Sequence, residues 1–152
     1  IALGQFKPEL EIDFDASMKS LTQTGSNTFN ATVAQQAVKD GVLASTENCN
    51  KNLKQKDSKG IHYYSWTGVA QATNALDIDT VLMQLGPLSY GSKDNDGMVS
   101  RCSAFMGKVI HDQYKLNHTD LANMMFGLKG VFAPDPVALY RQHANRLKLE
   151  GL

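Results

Sequence analysis

The sequence predicts a layered α/β structure that carries only part of a sheet. Three observations point there. Residues 61–66, Ile61-His62-Tyr63-Tyr64-Ser65-Trp66, are aromatic and β-favouring and lie between Gly60 and Gly68, which reads as a strand. The end of the chain reads as a helix, with Asp135 as cap, Pro136 at the first helical position and Gly151 past its end. The order helix, strand, helix, extended segment, helix is that of helices layered on a sheet. The strands are too few for a complete one.

Taken in order, residues 1–15 mix Phe6, Leu10, Ile12 and Phe14 with acids and yield no element. Asp15 suits the N-cap of a short helix over 16–23, with Gly25 as its stop. A second helix is expected over about 28–39, where Phe29, Val33, Ala37 and Val38 form an apolar stripe and Gly41 follows. Residues 49–60 form a polar loop with Lys51, Lys54, Lys56 and Lys59, read either as a solvated loop or as an anionic docking patch. After the strand, Asn74 precedes a short helix expected over 77–85. Residues 91–97 are turn-rich, 108–116 extended and 118–134 mostly loop. In the last helix Val137, Tyr140, Ala144 and Leu147 mark the expected buried face. Arg141, Arg146 and Lys148 lie towards its C-terminus, where positive charge suits the helix dipole.

Length and composition narrow the function classes. A chain of 152 residues, 42% hydrophobic and 20% charged, has the make-up of one globular domain. Its 15 basic and 15 acidic side chains balance, which argues against a nucleic-acid partner held by phosphate neutralisation. No apolar run is long enough to span a membrane. Ile1-Ala2-Leu3-Gly4 is neither an initiating methionine nor a signal peptide, so a processed product or a fragment is expected. Cys49 and Cys102 have no metal-binding spacing; on the residues alone they are two thiols or one disulfide.

The chemistry-bearing residues are ambiguous one at a time. Of His62, His111, His118 and His143, only His118 follows an extended segment and opens a loop, where catalytic groups commonly sit. Asp96 lies in Asn95-Asp96-Gly97, a sequence that turn chemistry alone explains. The same reserve applies to Asp77 and Asp120 as metal ligands. The nucleophile motif G-x-S-x-G is absent.

Read together, these residues resemble one family. Gly60-Ile61-His62-Tyr63-Tyr64-Ser65-Trp66-Thr67-Gly68 is similar to the strand "GV-x-YYSWSG" of secreted bacterial triacylglycerol lipases of the Pseudomonas and Burkholderia type. Thr73-Asn74-Ala75-Leu76-Asp77 resembles their "TN-x-LD". Asn95-Asp96-Gly97-Met98-Val99 with Cys102-Ser103 resembles "NDGLV-x-x-CS". Gly107-Lys108-Val109-Ile110, Tyr114, Asn117-His118 and Asp120 resemble "G-x-VIRD-x-Y-x-x-NH-x-D". Phe126-Gly127-Leu128 resembles "FGL", and Pro136-Val137 with residues 140–148 resembles the family's closing helix. The likeness runs from about residue 16 to the end, sparse before Cys49 and dense after it, with the motifs in family order.

The resemblance implies the C-terminal portion of an α/β-hydrolase fold with triad order Ser, Asp, His. It assigns Asp96 as the triad acid, His118 as the base and Cys49–Cys102 as the family disulfide. It assigns Asp77 and Asp120 as carboxylate ligands of a structural calcium ion, completed by the backbone carbonyls of Met124 and Leu128. Met124 replaces a frequent glutamine, which matters little to a carbonyl ligand. The serine, the oxyanion loop and most of the lid are expected on a missing N-terminal segment or second chain, and the isolated chain is expected to be inactive. The family further implies a triglyceride substrate, an extracellular location and, in many members, a lipase-specific foldase. Two other readings stay open: a non-catalytic calcium-binding extracellular module, needing Asp77 and Asp120 but not Asp96 or His118, and an esterase for small soluble esters.

Overall fold

A computed structural model describes residues 22–32, 34–44, 49–70, 72–74, 94–124 and 127–152. Nearly all of the helix expected over 16–23, the whole of that expected over 77–85, and Asp77 itself lie outside these residues.

Helix α1 is Gln23–Thr32 and α2 is Gln35–Lys39. The single helix expected over 28–39 is therefore two. Thr22 caps α1 by accepting the Gly25 N–H at 3.1 Å, so Gly25 sits in a first turn instead of ending a helix. The Ala34 N–H reaches back to the Phe29 carbonyl, one residue further than an α-helical bond, and this wider turn separates α1 from α2. Phe29 of the expected apolar stripe is 51% exposed.

Strand β1 is Tyr64–Gly68, which begins later than the sequence suggested. Asp57 explains the delay. Its carboxylate accepts the N–H groups of Lys59 and Ile61 and the Tyr63 hydroxyl, and His62 bridges to Lys56, so residues 61–63 fold back on the lysine loop. Strand β2, Lys108–Tyr114, pairs with β1 in parallel, from Tyr64 opposite Lys108 to Gly68 opposite Tyr114. Parallel pairing requires a long crossover, the hallmark of α/β architecture. At Gly68 a side chain would land on the Leu116 carbonyl, so only glycine lets the backbones meet there.

The segment after β2, expected to be mostly loop, opens with a one-turn helix α3, His118–Leu121. Asn117 and Asp120 form a capping box: the Asn117 side chain accepts the Asp120 N–H at 2.7 Å, and the Asp120 carboxylate faces the Asn117 N–H.

Helix α4, Pro136–Leu149, matches expectation at both ends: Asp135 accepts the Val137 N–H and Gly151 follows with φ 77°. Its contact face keeps Tyr140 and the half-buried Leu147 of the expected one but not Val137 and Ala144. Val137 and Ala144 are exposed and Tyr140 half-exposed, while Tyr140 and His143 set their rings edge-on to Trp66, with centroids 5.5 and 5.2 Å away. Aromatic edges on the Trp66 ring outweigh the thinner Val and Ala side chains in fixing the helix rotation.

The described core is small. Val42, Leu116, Phe105 and Ala133 are its buried apolar members, joined by Thr67, Asn95, Asp96, Asn117 and Asp120. Val131, Phe132 and Leu149 are more than 80% exposed. No described helix is long and apolar enough to cross a membrane.

Candidate active site

The loop carrying Asp96 is built from its stem outwards. The Arg101 N–H donates to the Asp94 carbonyl at 2.9 Å, Asn95 bridges Ser100, and the Asp96 N–H reaches the Val99 carbonyl. Asn95 accepts the Gly97 N–H at 2.8 Å, and Gly97 turns the chain at φ 101°, where a side chain would strain it. Turn chemistry is thus present, as the residues alone suggested, but it does not exhaust the role of Asp96. One carboxylate oxygen accepts the N–H groups of Met98 at 3.1 Å and Val99 at 2.8 Å. The other lies 2.9 Å from Nδ1 of His118.

His118 stands at the first position of α3, positioned by the Asn117 cap. Its backbone N–H also donates to the Asp96 carbonyl, at 2.8 Å. Asp96 is buried, while the His118 side chain is 41% exposed. With Nδ1–H donating to the carboxylate, Nε2 carries the lone pair, as a general base requires. The Asp96 hydrogen bond raises the His118 pKa above 6.5; burial pulls the other way, and the Asp96 charge adds to the rise.

Asn117, which sequence reasoning did not single out, supports this helix. Fully buried, it accepts from Asp120 and Thr119 and donates to Thr73 Oγ1 at 3.1 Å. The Asn-x-x-Asp spacing was the available signal.

Asp120 is 1% exposed, and its Oδ1 is buried without a hydrogen-bond partner among the described residues. A bare buried carboxylate oxygen is costly, and a hard cation is one chemical partner that would satisfy it. This orphaned atom fits the calcium expectation. The Met124 N–H returns to the Thr119 carbonyl at 3.0 Å, which brings that expected ligand back towards α3. Leu128 is exposed, and Asp77 lies outside the described residues. Among the described residues no group of three or more His, Cys, Asp or Glu could hold a metal.

Cys49 and Cys102 form a disulfide across 53 residues, with Cα atoms 4.9 Å apart. Lys51 does not behave as part of a free cationic patch: its ammonium lies 2.7 Å from Asp112, which also meets Arg101 at 3.3 Å. The other histidines lie elsewhere. His111 is on β2 against Tyr114, His62 faces Gln55, and His143 packs on Tyr64 and Trp66.

No protein-family model matches the chain. Individual proteins do. It is 45% identical over 137 residues to a triacylglycerol lipase of Vibrio cholerae, a match covering 90% of this chain and 41% of that protein. It is 44% identical over 89 residues to a triacylglycerol lipase of Burkholderia plantarii, covering 57% of this chain and 25% of that one. The match to a triacylglycerol lipase of Pseudomonas fragi is 39% over 101 residues, covering 60% and 34%. The chain thus spans well under half the length of these relatives. The small parallel sheet is consistent with a fragment of an α/β-hydrolase. The chain is homologous to bacterial triacylglycerol lipases, and it corresponds to the C-terminal portion of those proteins.

Proposed function

We propose that this chain supplies the acid and the base of a Ser-His-Asp triad in a secreted triacylglycerol lipase. The observation that carries the reading is the 2.9 Å contact between Asp96 and Nδ1 of a half-exposed His118. A serine from sequence outside these 152 residues attacks the ester carbonyl. His118 Nε2 takes the serine proton and later returns it to the departing alcohol. Asp96 holds the tautomer and stabilises the imidazolium. Backbone N–H groups, also from outside this chain, donate hydrogen bonds to the developing oxyanion.

The nucleophile motif is absent from the sequence, and large apolar side chains such as Val131, Phe132 and Leu149 face solvent. Both support the idea that a further segment, bearing the nucleophile, packs against this one. The isolated chain should therefore be inactive. Calcium would be held by Asp77, Asp120 and the carbonyls of Met124 and Leu128, and would supply a structural clamp on the loop that carries His118. Asp120 would then serve both as a ligand and as half of the capping box. The disulfide fits an oxidising compartment.

The test is reconstitution. The chain should hydrolyse a triglyceride emulsion only with the polypeptide carrying G-x-S-x-G, and His118→Ala should abolish that activity. Hydrolysis by the purified chain alone, or full activity of His118→Ala, would overturn the reading.

A further inference from the structure

We infer that Asp112 is a positioning residue for the acid–base pair, an inference that rests on the triad reading above. Asp112 sits on β2 and is 7% exposed. Its Oδ2 receives two cations at once, Lys51 Nζ at 2.7 Å and Arg101 Nη1 at 3.3 Å. Burial pushes its pKa up, but the Lys51 hydrogen bond and the charges of Lys51 and Arg101 outweigh that and hold it below the ordinary carboxylate value.

The two cations are not placed at random. Lys51 follows Cys49 by two residues, and Arg101 immediately precedes Cys102. Asp112 therefore grips both arms of the disulfide from the strand that runs on to His118. Arg101 is also the stem of the Asp96 loop, through its backbone bond to Asp94 at 2.9 Å and its side-chain approach to the Asp94 carboxylate at 3.5 Å.

The disulfide holds the C-terminal side of this loop, and the His118 N–H bond to the Asp96 carbonyl holds its tip. The Arg101–Asp112 contact adds an attachment at the stem, and it is this end that sets the direction in which the loop projects Asp96. Exposed ion pairs usually contribute little, but Asp112 is buried and doubly paired, the setting in which removing one charge leaves others uncompensated. A displacement of about 1 Å at a reacting group costs up to about a hundredfold in rate, so small freedom at this stem matters.

The experiment uses the full-length enzyme, including the nucleophile-bearing sequence. Asp112→Asn keeps the shape and removes the charge. Turnover per serine titrated with a phosphonate inhibitor should fall roughly ten- to a hundredfold, with KM within about twofold. Asp112→Glu should recover most of the loss. The downfield resonance of the His118 Nδ1 proton should broaden or move in Asp112→Asn. If Asp112→Asn does not fold, Arg101→Gln breaks the same contact from the other side and should give the same turnover loss. A folded variant with turnover within about twofold of wild type and an unchanged proton resonance would overturn the inference, even if its melting temperature fell. His118→Ala separates the two claims: if it is inactive while Asp112→Asn is normal, only the positioning role fails, whereas an active His118→Ala removes the triad reading itself.

Discussion

His118 is bound to Asp96 twice: its backbone N–H donates to the Asp96 carbonyl at 2.8 Å, and its ring Nδ1 meets the Asp96 carboxylate at 2.9 Å. The first bond fixes where the histidine backbone stands; the second fixes how the ring is turned. Because the two residues lie 22 positions apart, the segment between them is closed on itself by this pair.

Asp96→Asn in the complete enzyme tests the second bond. The asparagine oxygen can still accept the Met98 and Val99 N–H groups, which leaves its amide NH2 facing Nδ1. The ring must then present a lone pair there and a proton at Nε2, the wrong tautomer for a base. Turnover should drop by about 10⁴ with little change in melting temperature. Steady-state rates on a chromogenic ester read it directly, and a loss of less than about tenfold would contradict the assigned role.

The raised pKa of His118 gives a pH signature. On the proposed triad, catalysis needs the neutral imidazole, so the acid limb of kcat/KM should have its midpoint above 6.5. The stability term has the opposite sense. The charged pair stabilises fully below the unfolded imidazole pKa, and the contribution fades as pH rises through the higher folded value. A rate profile whose acid limb lies below 6.5 would disagree with the Asp96 contact as its cause.

Calcium should matter through Asp120. Asp120→Asn retains an oxygen for the Asn117 N–H while losing the charge at the orphaned Oδ1. Chelator should lower both melting temperature and activity of the wild-type enzyme and change neither further in the variant. Identical melting curves with and without chelator in the wild type would remove the ion from the account.

Removing the disulfide, as Cys49→Ser with Cys102→Ser, frees 53 residues of unfolded chain. The chain-entropy estimate is about 4 kcal/mol, an upper figure. The double variant should melt well below the parent, and the parent should resist thiol labelling until reduced. Rapid labelling without reductant would show the bridge does not form in solution.

Gly68→Ala probes the junction of the strands. The added methyl meets the Leu116 carbonyl, a backbone atom that cannot rotate away. A loss of about 3 kcal/mol is expected, read by denaturant unfolding, and a wild-type midpoint would mean the junction relaxes freely.

What the sequence made legible follows the range of the forces involved. Helix α4 was readable because its Asp135 cap, Pro136 and Gly151 are local signals. The start of β1 was not, because Asp57 diverts residues 61–63 into a loop through bonds that no local pattern announces. Asp96 looked like turn chemistry on residue type alone, and it is indeed part of a turn. Only the family resemblance singled it out with His118, and the structure brings the two together. The meeting of Lys51, Arg101 and Asp112 carried no signal, since it joins the lysine loop to segments distant from it in sequence. The Asn117–Asp120 capping box has a local signature, the Asn-x-x-Asp spacing.

The backbone bond from His118 to Asp96 also bears on how the protein ages. Spontaneous loss of ammonia from an asparagine begins when the amide nitrogen of the following residue attacks the side-chain carbonyl. For Asn117 that nitrogen belongs to His118, and its proton is already committed to the Asp96 carbonyl. The chemical clock at Asn117 should therefore run slowly for as long as the fold holds, and start only once it opens.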